Sequence, residues 1–103
     1  MTDRYKGKPF LRLLDAYVLD AIGFLPPEAD AELTRMEPNF AAALGETGPW
    51  RTMVETRMRF PAGMPGAIAE LWTKGRPRFI AANGHEPDPA EFTRIFVDSK
   101  FPH

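Results

Sequence analysis

The sequence predicts an all-α fold, a compact single-domain bundle of about five helices, and three observations carry that prediction. Five of the 11 prolines, Pro9, Pro27, Pro49, Pro65 and Pro89, stand just ahead of segments whose apolar residues recur with helical period. At the first helical position proline loses no bond, because that N–H has no intrahelical partner, and its φ is already helical. Glycines supply the matching stops: Gly23, Gly45 and Gly84 fall where a helix ends in a residue with positive φ. Nowhere does the chain alternate apolar and polar residues with the period of a strand.

The first helix, 9–22, lies in the most apolar stretch, KPFLRLLDAYVLDAIG. Its apolar side chains cover about half the circumference, against the ~100° stripe that a core-facing helix needs. Such a helix is expected at the centre of the bundle. An edge formed by Leu11, Val18, Leu19 and Ile22 is the candidate interface if one side stays uncovered.

The second segment, 27–44, keeps Ala29, Leu33, Met36, Phe40 and Leu44 on one stripe across Pro38. That register predicts one helix kinked at Pro38 and bending on its wet side. The third, 49–59, presents Trp50, Met53, Val54 and Met58, with Arg57 in the middle of the apolar arc. The fourth, 65–82, carries Ile68, Leu71, Trp72, Gly75, Phe79 and Ala82 on one stripe and predicts a second kinked helix through Pro77. The fifth, 89–100, opens on Asp88-Pro89-Ala90-Glu91, which has the form of a capping box, and carries Phe92, Ile95 and Phe96. Residues 1–8 read as a loosely ordered arm.

Composition narrows function mostly by exclusion. Thirteen Lys and Arg against 14 Asp and Glu give a net charge of −1, so no global field draws the chain to nucleic acid or an anionic membrane. The absence of cysteine removes disulfides, thiolate nucleophiles and thiol-ligated metals. A polar N-terminus without a signal-peptide pattern and the lack of a membrane-length apolar run set a soluble, cytoplasmic protein as the expectation. His85, Glu86 and Asp88 lie close in sequence, but the prolines between them keep ligands from converging, and the segment reads as a polar turn.

Two basic features bear on binding. Arg57, on the apolar arc, either packs its aliphatic stem while its head snorkels to water or meets Asp15 or Asp20, or it grips the anionic group of a ligand above an aromatic and methionine pocket. Lys74-Gly75-Arg76-Pro77-Arg78 resembles an AT-hook, and the resemblance implies an extended segment laying arginines along a narrow A·T minor groove. The opposing reading is the solvated basic side of a helix, since the apolar register of the fourth segment runs straight through the string. Arg57, Arg59, Lys74, Arg76 and Arg78 are thus the candidate anion contacts. Neither histidine sits beside an evident nucleophile, and no cofactor or catalytic set is expected. The leading expectation is a helical module acting through protein contacts, as a homodimer or accessory subunit. A small-molecule or anion-binding module and a nucleic-acid accessory protein are the alternatives.

Overall fold

A computed structural model describes residues 4–101. They form six α-helices: α1 Pro9–Ala21, α2 Pro27–Arg35, α3 Glu37–Leu44, α4 Trp50–Met58, α5 Met64–Asn83 and α6 Pro89–Lys100. There is no strand among the described residues. None of the helices found there is long and apolar enough to cross a membrane.

The expected punctuation is present. Pro9, Pro27 and Pro89 open α1, α2 and α6, and Gly45 and Gly84 close α3 and α5 with φ of 70° and 76°. A side chain at either of those glycines would be forced into left-handed geometry. Asp88 caps α6 by accepting the Ala90 N–H at 3.1 Å.

The apolar helix α1 is the centre. It packs against α3, α4, α5 and α6. Leu13, Leu14 and Val18 have no exposed surface, and Tyr17 reaches through the core to donate its hydroxyl to Glu55 at 2.8 Å. Burial, with that carboxylate second, holds the Tyr17 phenol protonated well above the ordinary tyrosine range.

The structure corrects the second segment. The chain does not bend at Pro38; it ends α2 at Arg35 and starts α3 at Glu37, with Met36 (φ −90°, ψ 1°) as the joint. Proline at position 38 cannot donate to the Thr34 carbonyl, and its ring crowds that carbonyl, so the ladder is restarted. The Met36 carbonyl then accepts from Asn39 and Phe40 at 2.9 and 3.1 Å. The apolar stripe survives the break: Leu33 and Phe40 are buried, and Met36 and Leu44 pack on the same core. At Pro77 the other outcome holds. α5 runs from Met64 to Asn83 without interruption, and both Pro77 and Thr73, whose carbonyl loses its donor, are exposed to water.

The N-terminal arm also departs from expectation. Arg4 grips Asp15 of α1 through Nε to Oδ2 at 2.7 Å and Nη2 to Oδ1 at 3.0 Å, and reaches Asp98 of α6 at 2.9 and 3.1 Å. Tyr5 donates to Asp15 at 2.8 Å. Partial burial and that carboxylate push the Tyr5 phenol up to about 12. A buried carboxylate on α1 has to be satisfied, and this part of the arm satisfies it. Residues 1–3 of the arm lie outside the described residues.

Thr93 on α6 is a local mismatch. It is 2% exposed, and its hydroxyl has no hydrogen-bond partner among the described residues. Removing an unpaired buried hydroxyl while keeping the side-chain shape relieves a desolvation cost. Thr93→Val is therefore expected to stabilise the fold by about 1 kcal/mol, read as a midpoint roughly 4–8 °C higher in thermal unfolding. A lower midpoint would mean that the hydroxyl is paired.

Candidate functional site

The site grows out of a mismatch in length. At ~1.5 Å per residue α1 is roughly 20 Å long and α5 roughly 30 Å. The first half of α5 packs on the core, with Ile68 buried and Met64 and Trp72 against it, and the second half from Thr73 onward is largely exposed. α6 returns along the same side and also packs on α1. Between the two helices the structure leaves an apolar groove of about 320 Å³, with Trp72, Phe79, Phe92, Ile95 and Phe96 in its walls. Phe79 and Ile95 keep 36% and 50% of their surface in water, and Leu71 on the same α5 keeps 52%.

Aromatic rings tie the groove to the core. Trp72 meets Phe24 edge-on at 5.5 Å and Phe92 at 5.0 Å, and Phe92 stacks on Phe96 at 5.7 Å. The series continues from Phe96 to Phe101 at 5.3 Å, to Phe60 at 5.1 Å, and to Tyr17 of α1 at 5.4 Å. Ring pairs at these separations are attractive beyond their buried area, so the floor of the groove is anchored while its lip is open. At the far end, Arg76 pairs with Glu86, Nε lying 2.6 Å from Oε2, and clamps the turn between α5 and α6. That guanidinium holds the Glu86 carboxyl below its ordinary range. His85 packs edge-on against Phe79 at 5.3 Å and donates Nδ1–H to the Glu86 carbonyl at 2.9 Å. The rim is of mixed sign, with Asp88 and Glu91 near the start of α6 and Lys100 at its end.

The residues expected to form a site fare differently. Leu11, Val18 and Ile22 are 2%, 0% and 8% exposed, and Leu19 packs against the same core. The candidate edge of α1 is therefore covered by the chain itself, because four helices surround α1. Arg57 is not buried. It lies on the surface with its guanidinium 5.0 Å from the Phe10 ring and its Nη1 donating to the Leu44 carbonyl at 3.2 Å. Its expected carboxylates serve others: Asp15 holds Arg4, and Asp20 accepts from Arg51 at 2.9 Å. Arg59 closes α4 in left-handed geometry, φ 56°, and is exposed.

Lys74, Arg76 and Arg78 belong to the exposed outer half of α5, and Arg76 alone of the five cations lines the groove. Lys74 pairs with Glu70 and Arg76 with Glu86. An AT-hook has to be extended, whereas Lys74–Arg78 is helical with two of its cations engaged, so the structure removes the geometric basis of that resemblance. The groove residues Phe79 and Ile95 were legible in sequence only as members of core stripes. The excess length of α5 over α1 is the signal that could have found them. No protein family, curated protein or solved structure matches the chain.

Proposed function

We propose that the chain is a protein-interaction module and that its contact surface is the α5–α6 groove. One observation carries the reading: large apolar side chains, Phe79 and Ile95, stand in water on either side of a groove walled by aromatic rings. Contiguous apolar surface rimmed by charge is a feature of binding sites. An aromatic centre with charges confined to the edge is also how protein interfaces are composed. The α1 edge is covered by the chain's own helices, which leaves the α5–α6 groove as the contact surface. A small apolar ligand is the second reading, favoured by a volume at the lower end of the ~300–1,000 Å³ that such sites occupy.

A photo-crosslinking amino acid at Ile95, introduced into the full chain in its own cells, tests the reading. The expected result is a discrete protein adduct that disappears when Phe79→Asp is added and does not form from Thr56, an exposed position on α4. A chain that yields no protein adduct from Ile95 would leave the groove without a protein partner and overturn the proposal.

A further inference from the structure

We infer that the cleft between the N-terminal arm and the α2–α3 joint binds a small organic carboxylate with an apolar body of phenyl size, held by Arg12. The cleft measures about 540 Å³ and is lined by Tyr5, Gly7 and Pro9, by Arg12 of α1, and by Met36 and Phe40. That volume lies within the ~300–1,000 Å³ of small-molecule sites. The cleft shares no lining residue with the α5–α6 groove, and a site here is independent of the reading proposed for that groove.

The decisive residue is Arg12. It stands in the first turn of the central helix, is partly buried, and makes no hydrogen bond or ion pair among the described residues. Asp15, the acid one turn further along α1, is already engaged by Arg4 and Tyr5. Other arginines that reach between elements are answered by carboxylates: Arg51 holds Asp20 and Asp30, and Arg76 holds Glu86. A guanidinium that has given up part of its water without gaining a counter-ion is a receptor for one, and its planar fork fits the two oxygens of a carboxylate. The surroundings carry the same sign. Residues 4–14 contain four cations, Arg4, Lys6, Lys8 and Arg12, and no acid. Of the four, Arg4 alone is paired among the described residues, and Lys6 and Lys8 stand exposed on the arm that forms one wall. Cations left uncompensated around a cleft raise the local concentration of anions.

The rest of the lining is apolar. Met36 is partly buried at the joint, Phe40 beside it is 4% exposed, and the Tyr5 ring keeps 36% of its surface in water. Thioether–ring and ring–ring contacts are both attractive. A carboxylate on an aromatic body uses the cation and these side chains together, whereas a bare inorganic anion uses the cation alone.

Amide NMR on the isotope-labelled full chain at low salt tests the site, with hydrocinnamate as the probe. Shifts are expected at Gly7, Arg12, Met36 and Phe40 with a midpoint of about 1 mM, ordinary for so small a molecule. Hydrocinnamamide has the same body without the charge, and inorganic phosphate has charge without the body; each should bind roughly tenfold more weakly. Arg12→Gln is expected to lower the acid to the level of the amide and leave the amide unchanged, with Arg12→Lys recovering part of the difference. If Arg12→Gln fails to fold by circular dichroism, the acid-to-amide ratio on the wild type decides. Shifts that stay absent up to about 20 mM hydrocinnamate, or that fall only on the groove residues Phe79 and Ile95, overturn the inference. So does amide or phosphate binding as tight as that of the acid, or an acid preference that survives Arg12→Gln. Crosslinking from Ile95, and with it the protein-contact reading, is unaffected by either result.

Discussion

Trp50→Ala is expected to cost about 3–5 kcal/mol, the range for emptying a large aromatic site. Trp50 is 1% exposed and is the first residue of α4. Its backbone N–H, left without a side-chain cap by Pro49, donates instead to Glu37 of α3 at 2.9 Å. Its indole Nε1 donates to Asp30 of α2 at 3.1 Å. Arg51 then lies over the ring at 4.4 Å and binds both oxygens of Asp30, at 3.2 and 2.9 Å. One residue thus joins three helices, its backbone to α3 and its side chain to α2, and α2, which otherwise touches chiefly α3, depends on that side chain most. Set against the ~5–15 kcal/mol stability of an ordinary domain, the loss would bring the chain close to unfolding. Urea denaturation followed by circular dichroism measures it. Trp50→Phe, which keeps most of the packing and loses only the indole donor, is expected to cost about 1–2 kcal/mol. Equal losses for the two variants would mean that the Asp30 bond, not the ring, does the stabilising.

The sequence made the helices legible because proline and glycine act locally. Pro9 and Pro89 open helices and Gly45 and Gly84 close them for reasons contained in the residue itself. The centrality of α1 was legible too, since a helix apolar over half its circumference requires neighbours on several sides. Pro38 and Pro77 divide the limit of this approach between them. Both lie opposite an apolar stripe, yet one ends a helix and the other does not. The stripe fixes which face turns inward, not whether the backbone can run straight between its two anchor points. At Met36 the chain turns so that Leu33 and Phe40 both reach the core.

The groove was illegible for a related reason. Periodicity placed Trp72 and Phe79 on one face of α5 but says nothing about how far the opposing cover extends. Phe79 sits beyond it, exposed, while Ile68 three turns earlier is buried. The partners of the arginines were not legible, because ion pairs between helices depend on crossing geometry, which no spacing encodes. Arg57, on the apolar arc of α4, lies over Phe10 at the surface. Arg51, one turn and a half earlier, holds Asp20 and Asp30.

Asp15 is where such a pairing matters most, and removing Arg4 is expected to harm the fold more than removing both partners. Asp15 is 5% exposed on the central helix, and its carboxylate accepts from Arg4 twice and from Tyr5 once. Arg4→Met would leave a charged group in the interior with, among the described residues, the Tyr5 hydroxyl as its remaining side-chain donor. A broken buried pair costs ~3–5 kcal/mol when both ions are enclosed. Because the Arg4 side chain keeps 23% of its surface in water, screening brings the expectation to about 2 kcal/mol. Asp15→Leu in the same chain replaces the stranded charge with packing, so the double variant should recover about half of that loss, as exchanges of buried pairs for apolar residues do. A cycle of Arg4→Met, Asp15→Leu and their combination, measured by chemical denaturation, gives the coupling directly. Strictly additive losses would show that Asp15 draws its compensation from elsewhere. The same variants report on the arm. With Arg4 detached from Asp15 and Asp98, trypsin should cut after Lys6 well before the rest of the chain unfolds, whereas in the wild type that segment is held against α1 and α6 by the one guanidinium.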